Sequence, residues 1–311
     1  MWTYLLFLVG VPLASRMPRR LLTIFGQIIG TVAYVANRSA REAVSRNLEV
    51  VLPDATGATR RRLARRTFIH GVWSYIEQLR LGGSTAEQVT ASYRMDGWEH
   101  LDAAFAQGHG VIMVTSHAGT PGVAGQLFAL NGVPTTMVVE PLRPRRLHDL
   151  VARLRGAFGV HIIAVGREGA REMIAALRRN ELVGIVSDRD VAGSGRELPF
   201  FGIPTRVTTA AATLALRTNA VVLPAFAVRT QLFGGQGRIE SPVEIPRTGN
   251  SAQDVREGTL RILARIEAFI REYPEQWAVF SDIWPGEHVT AERSVSRTGD
   301  GSPGLGTMPE P

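Results

Sequence analysis

His117 closes a run of mostly apolar residues, Gly110-Val-Ile-Met-Val-Thr-Ser-His117, and a Gly/Pro-rich turn, Ala118-Gly-Thr-Pro-Gly122, follows at once. Val111 to Val114 are too uniformly apolar for a half-exposed strand, so they predict one buried on both faces. An imidazole at the carboxyl end of such a strand, beside a turn that lets a substrate approach the backbone, is well placed to take a proton. Two more polar groups follow apolar runs: Glu140-Pro141 with Leu142-Arg-Pro-Arg-Arg146, and Ser187-Asp188-Arg189-Asp190. Singly, each is an ordinary cap or surface loop, and His117 an ordinary hydrogen-bonded histidine. Three polar clusters at the carboxyl ends of strands of one sheet would instead converge on one crevice. A fourth candidate is Arg206, ahead of Thr208 and Thr209 at the start of a small-residue helix that could accept an anion. His109, His148 and His161 have no such context, and the histidines show no metal-ligand spacing.

The elements that must position these residues are short apolar strands alternating with helical segments. Strands are expected at 110–116, 135–139, 161–165, 182–187 and 221–228, and helices near 121–131, 145–158, 168–179 and 208–219. Such alternation predicts an α/β fold with a mainly parallel central sheet flanked by helices. Arg196 to Arg206, with Phe200-Phe201 between prolines, reads as an apolar loop lining a pocket or as core packing. Arg238 to Ile245 reads as an edge strand, and Ser251-Ala-Gln-Asp254 as a capping box opening a helix with Val255, Leu263, Ile266 and Ile270 on its inner face. Trp277, Phe280 and Trp284 are expected to pack back on the core.

The N-terminal part reads as a hydrophobic helical segment. Trp2 to Ala14 and Leu21 to Ala36 are apolar runs around Arg16-Met-Pro-Arg-Arg20, and neither reaches the ~20 residues that span a bilayer core comfortably. The positive charges follow the first run instead of preceding it, unlike a signal peptide. Gly26, Gln27, Gly30 and Thr31 suit a packed or interfacial helix, with basic flanks against anionic headgroups. Helices follow at 38–52 and from Arg60 through Leu79, the second opening on the cluster Arg60-Arg-Arg62 and Arg65-Arg66. The expected organisation is a membrane-associating helical region at 1–94, an α/β domain at 95–285 and a disordered Gly/Ser/Pro-rich tail at 286–311.

All 35 basic residues are Arg, and the net charge is +7. That excess favours anionic partners, and membrane lipid over nucleic acid, since no nucleic-acid module is present. The absence of cysteine excludes disulfides and thiolate metal sites.

His117 after its strand, Glu140-Pro-Leu-Arg-Pro, Ser-Asp188-Arg-Asp190, Pro-Phe-Phe-Gly202 and Pro274-Glu-Gln-Trp277 stand in an order that resembles one family over roughly residues 20–285. It is the lipid A biosynthesis lauroyl/myristoyl acyltransferase family, and most closely its phosphatidylinositol mannoside acyltransferase branch. The resemblance implies an enzyme on the cytoplasmic face of the cell (inner) membrane. It would move a fatty acyl group from acyl-CoA or acyl-carrier protein to a hydroxyl of a glycolipid or phospholipid, without a cofactor or metal. It implies His117 as general base; by position, Glu140 and Asp188 are the candidate catalytic carboxylates, and Arg155, Arg189, Asp190 and Arg206 the candidate substrate contacts.

The family motif is His, four residues, then Asp or Glu, and this chain has Gly122 at the acid position. Three readings follow. Another acid (Glu140, Asp188 or Asp190) reaches His117 from a neighbouring strand end; the histidine works unassisted and slowly; or the chain binds lipid without acylating it. A thioester hydrolase using Ser116 and His117 is the weakest alternative, because neighbours at a strand end point apart and no Gly-x-Ser-x-Gly elbow is present.

Overall fold

The computed structural model describes residues 10–191 and 193–284. Residues 1–9, which hold most of the first N-terminal apolar run, and the expected disordered tail lie outside the described residues.

The centre is a seven-stranded sheet. In chain order its strands are β1 (Tyr93–Asp96), β2 (Val111–Thr115), β3 (Thr135–Val139), β4 (His161–Ala164), β5 (Leu182–Val186), β8 (Val221–Gln231) and β9 (Gly234–Ile239); β6 (Arg196–Phe200) and β7 (Ile203–Val207) form a separate antiparallel hairpin. Across the sheet the order is β1-β9-β8-β2-β5-β3-β4, and every pairing is parallel except β8 with β9. β2 lies at the middle, between β5 and β8. Its side chains alternate between two cores. Ile112 and Val114 join the cluster beneath the helices at Arg167–Arg178, Ala210–Thr218 and Ser251–Glu272. Val111 and Met113 join the cluster of Leu101, Leu127 and Phe128 on the other face. Each such aliphatic side chain contributes ~1.5–3 kcal/mol by leaving water, so the uniform apolar run is what a two-faced central strand requires.

The loop after β2 leads to helices on one face, and the loop after β5 to the β6–β7 hairpin and a helix on the other. The carboxyl ends of β2 and β5 therefore flank a crevice from which consecutive loops depart in opposite directions. That is the point where open α/β sheets hold their ligands.

Several sequence expectations need correction. The strand expected at 238–245 is β9, which ends at Ile239 and lies inside the sheet between β8 and β1, not at its edge. Gly234, Gly235 and Gly237 give it no strand signature. Those glycines let β1 lie close: a Cβ on Gly235 would stand 2.6 Å from the Tyr93 ring. The stretch 196–206 is a hairpin whose two-residue turn, Phe201-Gly202, has both φ values positive, as tight hairpins prefer. Phe200 there is fully buried against Trp277 and Trp284. The helix expected at 121–131 is two short ones, Pro121–Ala124 and Gln126–Leu130. The C-terminal helix is capped by Asn250, which accepts the Gln253 N–H, while Asp254 turns back to take the Thr248 N–H and hydroxyl.

Before the sheet, helices at Arg19–Ala36, Arg38–Val51 and Gly57–Leu81 form a helical layer. Leu22, Gly26 and Gly30 make the buried stripe of the first, and its glycines lie against Trp73 and Ile69 of the third. Its other faces expose Leu21, Ile24, Phe25, Ile28, Val32 and Val35. Among the described residues no helix is long and apolar enough to cross a membrane.

Candidate active site

The register of the sheet builds the site. Thr115 of β2 lies beside Val186 of β5, and the Ser187 N–H continues the ladder to the Thr115 carbonyl at 2.9 Å. One step on, His117 and Asp188 face each other across the two strand ends. His117 Nδ1 lies 2.7 Å from Asp188 Oδ1, and the His117 backbone N–H donates to Asp188 Oδ2 at 3.0 Å. The Trp277 indole N–H donates to the same Oδ2 at 2.8 Å. An ionised carboxylate only accepts, so Nδ1 carries the proton in the neutral ring and Nε2 is left as a base. Asp188 is wholly buried, whereas the His117 side chain keeps 35% of its surface exposed, enough for a substrate proton to reach it.

Burial by itself would push Asp188 up. The charge and hydrogen bonds of His117, with the Trp277 bond, outweigh it and hold the carboxyl below the usual carboxylate range. The segment after His117 is pinned from both sides. The His117 carbonyl accepts the Ala278 N–H, the Gly119 N–H donates to the Gln276 carbonyl, and the Thr120 N–H donates to the Ala227 carbonyl. Gly119 has φ +76°, and a Cβ there would collide with the Ala227 carbonyl, so only glycine lets the chain turn this tightly against β8.

The other expected residues distribute differently. Glu140 follows β3, one strand beyond β5, and is exposed; the acid bonded to His117 is Asp188. Asp190 does not reach His117 either: its carboxylate takes the Gly195 N–H and pairs with Arg206 at 3.3 Å, so these two expected substrate contacts hold each other. Arg189 is half-buried between the two acids. Arg155 ends the helix Arg145–Arg155, with its carbonyl accepting from Gln126 and its guanidinium pKa pushed down by burial. A Cβ on Gly122 would meet open space, so no steric conflict forbids an acid there. Ser116 is buried, its hydroxyl accepting the Ala118 N–H, which leaves it no path to a substrate.

A profile described as bacterial lipid A biosynthesis acyltransferase matches residues 1–285. The chain belongs to that family. It is 28% identical over 205 residues to a phosphatidylinositol mannoside acyltransferase of Mycobacterium tuberculosis, a match covering 65% of this chain and 63% of that protein. It is 26% identical over 257 residues to the protein of the same description in Mycolicibacterium smegmatis, covering 81% of this chain and 82% of that one. A lipid A biosynthesis acyltransferase of Haemophilus influenzae is 25% identical over 182 residues, 58% of this chain and 55% of that protein. In this chain the carboxylate bonded to His117 comes from the loop after β5, and position 122 is a glycine.

A second buried polar cluster was not legible in the sequence. Arg229, near the end of β8, donates to both Glu77 oxygens at 2.9 and 2.7 Å, to Ser74 Oγ at 3.0 Å, and lies 2.9 Å from His70 Nδ1. Burial, with the positive charges of Arg229 and Arg66, pushes His70 down to about 3, so it is neutral and accepts the arginine proton. In a linear reading Arg229 and Glu77 look like surface charges; nothing local marks them as partners.

Proposed function

We propose that the chain is a membrane-associated O-acyltransferase that moves a fatty acyl group from an acyl-CoA or acyl-carrier-protein thioester to a hydroxyl of a glycolipid or phospholipid. The observation that carries this reading is the 2.7 Å contact between His117 Nδ1 and Asp188, in a His117 side chain that stays partly exposed. A sugar hydroxyl is a weak nucleophile. As its oxygen attacks the thioester carbonyl carbon, its proton passes to His117 Nε2, and Asp188 stabilises the imidazolium that forms. The carbon–sulfur bond then breaks, the imidazolium returns the proton to the departing sulfur, and the products are an ester and a free thiol. Arg155 and Arg189 are the cations proposed to meet the donor phosphates or the developing oxyanion. The names of the mycobacterial relatives favour a phosphatidylinositol mannoside-type acceptor.

Peripheral membrane attachment is supported by the helix Arg19–Ala36, whose exposed face carries Leu21, Ile24, Phe25, Ile28 and Val32. Beside it runs a groove of about 790 Å³ lined in part by Arg62, Arg65 and Arg66. An apolar helix face next to a row of guanidiniums suits the boundary between acyl chains and anionic headgroups.

The test is incubation of the purified protein with labelled acyl-CoA or acyl-carrier protein and phosphatidylinositol mannosides, beside His117→Ala. A labelled lipid ester is expected from the parent and roughly 10³-fold less from the variant at equal melting temperature. Equal product from both would remove His117 from the chemistry. No product with either donor, from folded protein, would return the chain to lipid binding without acylation.

A further inference from the structure

We propose that Trp277 is a positioning residue for the His117–Asp188 pair, its indole N–H keeping the carboxylate turned and charged so that the other oxygen faces Nδ1. Asp188 Oδ2 is satisfied by two N–H donors, the His117 backbone and Trp277 Nε1, and Oδ1 is left for the imidazole. A charge-assisted bond to a buried carboxylate is among the stronger hydrogen bonds a side chain can make. The donor is itself immobile. Trp277 is buried, packs near Phe200, Phe201 and Trp284, and bridges through its backbone to Ala118, the residue after His117. The C-terminal segment therefore fixes both members of the pair at once.

The ionisable groups on the elements packed around this point are engaged elsewhere. Asp190 pairs with Arg206, Glu267 accepts the Phe201 N–H, Arg271 lies over the Phe201 ring and Glu275 meets Arg66. Half-buried Arg189 follows Asp188 directly in the chain. Removing the indole N–H therefore acts mainly on Asp188. A carboxylate with one donor fewer is more basic and favours the imidazolium next to it. The base must be unprotonated to act, so the acid limb of the pH–rate profile moves to higher pH.

The kinetic arm of the test rests on the acyl-transfer reading; the spectroscopic arm does not. Trp277→Phe is compared with Trp284→Phe, which disturbs the same aromatic cluster but whose N–H serves the Phe200 carbonyl. For Trp277→Phe we expect kcat to fall roughly tenfold with the donor KM unchanged. The acid limb should move to higher pH, and the low-field Nδ1–H proton resonance of His117 should be displaced. Trp284→Phe should move neither limb nor resonance. Benzothienylalanine at position 277 keeps the ring shape without the N–H, should reproduce the Trp277→Phe displacement, and decides the matter if the phenylalanine variant fails to fold. An unmoved resonance in the variants lacking the N–H, or an equal displacement in Trp284→Phe, overturns the proposal whether or not the protein turns over.

Discussion

Two buried carboxylates in this molecule are held in nearly the same way, yet only one belongs to a candidate active site. Asp188 is gripped by N–H groups of His117 and Trp277, and Glu77 by the Arg229 guanidinium and the Phe233 N–H. Each cluster includes a histidine. In the first, the ring is bonded to the acid through Nδ1, and about a third of the side chain is exposed. In the second, His70 is buried and neutral, and it spends Nδ1 on a proton from arginine instead of on the acid. The difference teaches that a buried, fully bonded charge is not by itself a site. A ring bonded to the acid can take up a proton with that acid's support, whereas a ring that already accepts from a guanidinium cannot, and the second cluster is a tie between β8 and the helix Gly57–Leu81.

The largest effect is expected at the Asp188 cluster. Asp188→Asn places an amide against His117, whose N–H₂ favours the tautomer with the proton on Nε2, and turnover should fall by about 10³–10⁴-fold at little change in stability. Steady-state rates beside thermal melts check this; a mild loss would show that the pair is structural. At the Glu77 cluster the signs reverse. Glu77→Gln leaves the Arg229 charge buried without its counter-charge, at a cost of ~3–5 kcal/mol in stability, read from denaturant unfolding. A loss of turnover as severe as that of Asp188→Asn in the surviving folded protein would erase the distinction between the two clusters.

The smallest effect separates the clusters by pH. His70 titrates at about 3 when folded and near its ordinary value of about 6.5 when unfolded. Its folded pKa is depressed, so its contribution is fully present above about 6.5. As pH falls from there towards 3, the unfolded chain binds a proton that the folded one excludes, and stability declines by up to ~1.4 kcal/mol per pH unit. Melting curves between pH 7 and 4 should show this slope, and His70→Gln, which can still accept from Arg229, should flatten part of it. An unchanged slope in the variant would place the acid sensitivity elsewhere.

Much of the sheet was legible because burial on both faces leaves a plain mark. β2, β3 and β5 stand within a residue of where uniform apolar runs place them. β1 was not legible and β9 only in its last two residues, one being only four residues long and the other built on glycines whose value lies in the absence of a side chain. The hairpin at 196–207 was hidden because its prolines and phenylalanines read equally as a loop.

For the site, the sequence by itself determined the candidates. It put His117 and Asp188 at the ends of apolar strands and left Gly122 where an acid was expected. It did not determine which carboxylate meets the imidazole, because Glu140, Asp188 and Asp190 all follow strands. Only the tertiary structure decided that, by pairing β2 with β5 although β3 and β4 intervene along the chain. The reason is the hydrogen-bond register: once Thr115 lies beside Val186, the next residues out bring His117 to Asp188 and leave Glu140 one strand away.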